Sequence, residues 1–130
     1  MALIVIDASV LIAFLDSNDP HHRGAVDALG ASSGDNVVLP GSAYAEVLVG
    51  PLRREDSAAS TVDEVLADLR IAIQPITREI ARHAAALRAA HSRLRLPDAL
   101  VLAAGEVLQA TSVLTADRVW PRISPRARLV

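Results

Sequence analysis

The chain has 130 residues and a mass of 13.7 kDa, is 52% hydrophobic and 22% charged, and so suits one globular domain rather than a disordered segment. It has no cysteine, and all 13 of its basic residues are arginine. That excludes a disulfide framework, a thiolate metal site, a P-loop with its phosphate-reaching lysine, and Schiff-base chemistry. The net charge of −2 hides an asymmetry: residues 1–69 hold three arginines against eleven acids, and residues 70–130 hold ten against four. A basic surface can therefore coexist with an acidic pocket.

Leu3 to Ile6 is a short apolar run with β-branched residues, which predicts a buried parallel strand ended by Asp7. Ser9 to Leu15 reads as a helix, closed by the polar turn Asp16 to Pro20, and His21 to Ala31 as a second. Val37 to Leu39 predicts a second strand. Ser42 is placed to cap a third helix that Pro51 ends or kinks. Ser60 to Leu69 carries Val62, Val65, Leu66 and Leu69 on one helical stripe. Ile71 to Ile73 is a third candidate strand. Thr77 then caps a long helix expected to reach about Leu94, and Pro97 fits the first turn of an almost wholly apolar helix ending near Gln109. Ser112 to Thr115 predicts a fourth strand, and the tail from Arg122 has room for a short edge strand. Strands alternating with helices predict an α/β fold, a mainly parallel sheet between helical layers, in a single domain over residues 1–130.

The six glycines never fall as G-x-G, and neither H-E-x-x-H nor G-x-S-x-G occurs. The longest wholly apolar or glycine stretch, Ala99 to Gly105, is far short of the roughly 18 residues of a membrane span. The N-terminus lacks the basic segment of a signal peptide, so a cytoplasmic address with no membrane partner is expected. Any chemistry must come from carboxylates, hydroxyls, histidines or a metal.

In open α/β sheets ligands bind beyond the carboxyl ends of the strands. Asp7 and Asp117 fall there, Glu46 lies early in the third helix, and Asp98 sits in the first turn of the apolar helix. Each has an ordinary alternative. Asp98 suits a helix N-terminus, Glu46 an exposed helix face, and Asp117 a turn. Asp7 and Asp98 are harder to explain singly, because both stand against strongly apolar neighbours, where an uncompensated charge is costly. Converging carboxylates repel unless a divalent cation neutralises them, and oxygen-only ligands suit Mg²⁺ or Mn²⁺ rather than zinc.

Val5-Ile6-Asp7-Ala8-Ser9-Val10-Leu11-Ile12, Tyr44-Ala45-Glu46-Val47, Leu96-Pro97-Asp98-Ala99-Leu100-Val101-Leu102-Ala103 and Leu114-Thr115-Ala116-Asp117 together resemble the PIN-domain ribonucleases. Within that family the chain looks most like the VapC toxins of bacterial toxin–antitoxin pairs, from residue 4 to about 120. The resemblance implies a three-layer α/β/α sandwich that binds Mg²⁺ or Mn²⁺ and cleaves RNA as an endoribonuclease. Asp7, Glu46, Asp98 and Asp117 match the acidic quartet, with Asp7 and Asp98 as metal ligands and Ser9 and Thr115 as supporting hydroxyls. The family often has a further acid shortly after the last one; here Arg118-Val119-Trp120-Pro121 follows.

The resemblance also implies a homodimer and a cognate VapB-like antitoxin. Arg95 and Arg118 are the candidate RNA contacts, among six arginines (with Arg53, Arg54, Arg93 and Arg122) near the proposed site elements. The competing expectations are a catalytically silent PIN-fold module that binds RNA or protein, and a phosphatase with Asp7 as nucleophile. The phosphatase typically wants a second Asp where Ser9 stands.

Overall fold

Leu3–Ile6 forms β1, and the last three of its residues are buried. It is the central strand. In this computed structural model, which describes residues 1–130, five strands lie in the order β3-β2-β1-β4-β5 with every pairing parallel. The others are β2 (Asn36–Pro40), β3 (Ile71–Gln74), β4 (Ser112–Thr115) and β5 (Ala127–Leu129). Val5 stands opposite Val38 on one side and Val113 on the other.

Six helices fill the crossovers: α1 (Ala8–Leu15), α2 (His22–Ala31), α3 (Gly41–Arg54), α4 (Ala58–Asp68), α5 (Arg78–Ala90) and α6 (Leu96–Val107). The connections β1–β2 and β2–β3 travel one way across the sheet and β3–β4 the other. Right-handed crossovers therefore put α1 to α4 on one face and α5 with α6 on the opposite one. This is the expected sandwich, and its core is one cluster that includes Val5, Leu11, Leu39, Ile80, Leu102 and Trp120. The chain direction reverses its order at β1, and the crevice that opens between the ends of β1 and β4 is where such folds bind ligands.

Three local expectations change. Ser42 does not cap α3: Pro40 holds the cap position, and the Ser42 hydroxyl is buried without a hydrogen bond. Pro51 does not end α3, which continues to Arg54 at the cost of the one amide that proline lacks. Helix α5 stops at Ala90 rather than near Leu94. Its start is as expected, with the Ile80 amide donating to Thr77 Oγ1 at 3.2 Å. Because α6 begins at Leu96 with Pro97 in its first turn, residues 91–95 must reverse the chain between two packed helices. His83 joins those helices by a bond to Glu106, and His22 Nδ1 donates to the Ala13 carbonyl at 2.8 Å, tying α2 to α1.

Helix α6 seats closely on the sheet at Gly105, where an added Cβ would overlap Val113 Cγ2. Val113 is fully buried and β-branched, so it has little freedom to rotate away. Alanine is favoured over glycine in a helix by about 1 kcal/mol, but overpacking costs about 1–3 kcal/mol. Gly105→Ala should therefore lower stability in urea unfolding. A gain would mean that α6 does not sit on β4 at this point.

Candidate metal centre

Asp7 follows β1 and holds the N-cap position of α1, yet its side chain caps nothing. It turns across the sheet instead. Ser9 Oγ donates to Asp7 Oδ2 at 2.7 Å, and Thr115 Oγ1, at the end of β4, donates to the same oxygen at 3.2 Å. Each hydroxyl in turn accepts a backbone amide, Ser9 from Ala116 at 3.0 Å and Thr115 from Asp117 at 3.0 Å. Each hydroxyl thus accepts from an amide and donates its own hydrogen to Asp7, an arrangement that favours the ionised form of Asp7. Both hydroxyls bond to Oδ2, so neither of them occupies Oδ1.

Asp98 rises from the first turn of α6, and Arg95 Nε lies 3.5 Å from its Oδ2. Glu46 is half-buried on α3, which packs against α6. Asp117 is exposed after β4; its Oδ1 accepts the Val119 amide at 2.8 Å, so it does form the turn that its position allows. The four carboxylates are electrostatically linked, with Asp98 at the centre. Burial pushes Asp7 from 3.8 up to about 6, and repulsion from Asp98 adds to it against the pull of Ser9 and Thr115. Burial and Asp98 also raise Glu46. Burial raises Asp98 too, with Asp117 adding to the rise and Arg95 opposing it. Arg95 lowers both Glu46 and Asp98 and is the cation that these acids share.

No group of three or more His, Asp or Glu side chains is arranged to ligate one ion directly. Mg²⁺ does not require such a cage: it keeps several waters and commonly binds through one or two carboxylates. Asp7 and Asp98, coupled to each other through their charges, are a donor set of that kind.

The sequence matches the PIN domain family over residues 4–124. The chain belongs to that family. No curated protein matches the sequence significantly. Among solved structures, this PIN chain is similar to a toxin–antitoxin complex from Klebsiella pneumoniae, with 25% identity, a TM-score of 0.77, and 96% of this chain aligned to 95% of that one. It shares its fold with VapBC2 from Rickettsia felis bound to a promoter DNA fragment (14% identity, TM-score 0.78, 98% and 97% coverage). The same holds for Mycobacterium tuberculosis VapC20, a sarcin–ricin loop cleaving toxin (19% identity, TM-score 0.69, 85% and 86% coverage).

The PIN fold thus brings the four predicted acids and both supporting hydroxyls to one end of the sheet. Of the two arginines expected to meet RNA, Arg95 leans on Asp98, and Arg118 is exposed in the loop after Asp117. Ser42, freed from capping, lies one helical turn before Glu46 on the same face of α3, and its hydroxyl is still free to bond. His91 and Ser92, which a longer α5 would keep on a helix, lie instead in the loop beside Asp98 and Asp117. Asp16 accepts the Asn18 amide at 2.9 Å and serves its turn.

Proposed function

We propose that this PIN chain is a Mg²⁺- or Mn²⁺-dependent endoribonuclease that acts as the toxin of a toxin–antitoxin pair. The observation that carries the proposal is the buried, doubly bonded Asp7 coupled to Asp98 at the point where the strand order reverses. Asp7 and Asp98 would hold the cation. When bound, the cation activates a water and neutralises charge developing on the phosphodiester. Glu46, raised above its ordinary value by burial and by Asp98, is suited to take the proton of the attacking water. Asp117, fixed by its turn, orients that water or a second cation. Ser9 and Thr115 hold Asp7 in place so that Oδ1 is presented without reorganisation. Arg95 and Arg118 supply positive charge for the RNA backbone.

The likeness to toxin–antitoxin complexes supports a VapB-like antitoxin as partner, and a homodimer. No helix is long and apolar enough to cross a membrane. Ile12 and Leu15 on α1, with Val49 and Leu52 on α3, stand exposed and offer the apolar surface that a protein partner would cover.

Incubation with total RNA tests the activity. Discrete fragments should form with millimolar Mn²⁺ or Mg²⁺, none should form in EDTA, and Asp98→Asn should leave the RNA intact. RNA retained without cleavage under every metal condition would instead identify a silent binding module. Phosphate released from small esters would identify a phosphatase.

A further inference from the structure

A cleft of about 550 Å³ runs from the acidic centre to the loop between α5 and α6. Asp98 and Asp117 line it together with His91, Ser92, Arg93 and Arg122, and the buried Trp120 contributes to its floor. One stretch of the cleft is therefore anionic and another cationic. The ion pairs of the protein are Arg23–Asp27, His83–Glu106 and Arg95–Asp98. Arg93 and Arg122 are in none of them, although two carboxylates share their cleft.

We propose that this cleft is the subsite for the nucleotide next to the scissile phosphate, and that Arg93 and Arg122 grip the phosphate of that nucleotide. The assignment rests on the ribonuclease reading and names the form of RNA it requires. A strand is a series of anions. The phosphate that reacts would be met by the cation that Asp7 and Asp98 would hold, whereas its neighbour would meet the repulsion of Asp98 and Asp117 unless another positive group stands there. Guanidinium forks without carboxylate partners meet that need, because they bind a phosphate without first breaking an ion pair. The volume lies within the range of about 300–1,000 Å³ typical of small-molecule sites, so it admits a nucleotide unit but not a duplex. Trp120 is 1% exposed and does not present a ring face for stacking. The cleft thus grips the backbone of an unpaired nucleotide rather than reading its base.

The test uses a fluorescein-labelled, mixed-sequence 12-nucleotide RNA strand, 2′-O-methylated against cleavage and titrated with full-length protein in EDTA at several salt concentrations. Arg93→Ala and Arg122→Ala should each weaken binding by about tenfold to a hundredfold, the loss expected for one charge-assisted contact. Each should also flatten the salt dependence by about 0.7 in log–log slope. Arg93→Lys should recover part of the loss, since it restores the charge without the fork. Arg88→Ala, on the exposed side of α5 outside the cleft, should bind within twofold of wild type. The same 12-mer annealed to its complement should compete poorly. Equal binding by wild type and both cleft variants, or efficient competition by the duplex, would overturn the subsite. If the arginine variants bind weakly while the wild type cuts no RNA with any metal, the cleft is a phosphate grip for an RNA strand that is held uncut, and the ribonuclease reading falls with the assignment of a neighbouring scissile phosphate. If the wild type cuts RNA but binding does not depend on either arginine, the ribonuclease reading stands and the subsite falls.

Discussion

Asp7→Asn is expected to stabilise the protein at pH 7 by about 3 kcal/mol while abolishing RNA cleavage. Folding raises the Asp7 carboxyl from 3.8 to about 6, chiefly by burial, and each tenfold gain in proton affinity is worth about 1.4 kcal/mol. Because the folded state binds this proton more tightly than the unfolded chain does, the stabilising contribution of the protonated form is complete below about pH 4. It is lost as pH rises through about 6. At neutral pH the wild type therefore holds a buried charge that weakens its fold. Asparagine stays neutral throughout and keeps a carbonyl oxygen for the Ser9 and Thr115 hydroxyls.

Thermal unfolding from pH 4 to pH 7.5 should show the two proteins alike at the acid end and diverging through pH 5–6, with the variant the more stable. Millimolar Mg²⁺ or Mn²⁺ should then raise the melting temperature of the wild type and leave that of Asp7→Asn nearly unchanged, because only the carboxylate pair gains from the cation. A wild type at least as stable as the variant at pH 7 without metal would contradict the burial of a charged Asp7. Cleavage by the variant would remove Asp7 from the chemistry.

Trp120→Ala should cost about 3–5 kcal/mol, the range for deleting a large buried aromatic side chain. Trp120 is the largest fully buried side chain, and it anchors the short 3-10 helix Trp120–Arg122 against the core. Total stabilities of about 5–15 kcal/mol leave little after such a loss, so the variant should unfold at much lower urea. The loop carrying Asp117, Arg118 and Arg122 hangs on this anchor, and cleavage should fall with the fold. Trp120→Phe separates volume from polarity. The indole N–H is buried without a partner, and an orphaned donor costs about 1–3 kcal/mol. Phenylalanine gives up some contact area but also that penalty, so it should lie within about 1.5 kcal/mol of wild type. A Trp120→Ala protein within 1 kcal/mol of wild type would show that the indole is not packed in the core.

Much of this molecule can be read directly from its residues, for physical reasons. Strands such as Leu3–Ile6 and Ser112–Thr115 are short β-branched runs bounded by polar residues, and buried parallel strands have no polar face to blur the pattern. Asp7 and Asp98 stand out because their neighbours are apolar. That contrast is local, and so is the expectation that strand ends carry the site. What cannot be read depends on contacts between distant segments. The end of α5 is set by where α6 must begin, and helical periodicity alone carries on past Ala90 toward Leu94. Ser42 has the residue type of a cap and the location of one, but Pro40 already supplies the extended residue before the helix. That Arg95 is engaged by Asp98 whereas Arg93 is left unpaired follows from the geometry of one loop. Their charges are the same, and their positions in the chain differ by only two.

The strand order sets a timetable. β1 is made first, but it gains its second neighbour only when residues 112–115 arrive, and the hydroxyl that fixes Asp7 comes from Thr115, 108 positions later. Pairings that span such distances close slowly, and a chain emerging from its N-terminus cannot form them early. Asp7, Glu46 and Asp98 can all be synthesised while the pocket is still missing a wall. The proposed cleavage of RNA would therefore have to wait until residues 112–115 have been made and have paired with β1.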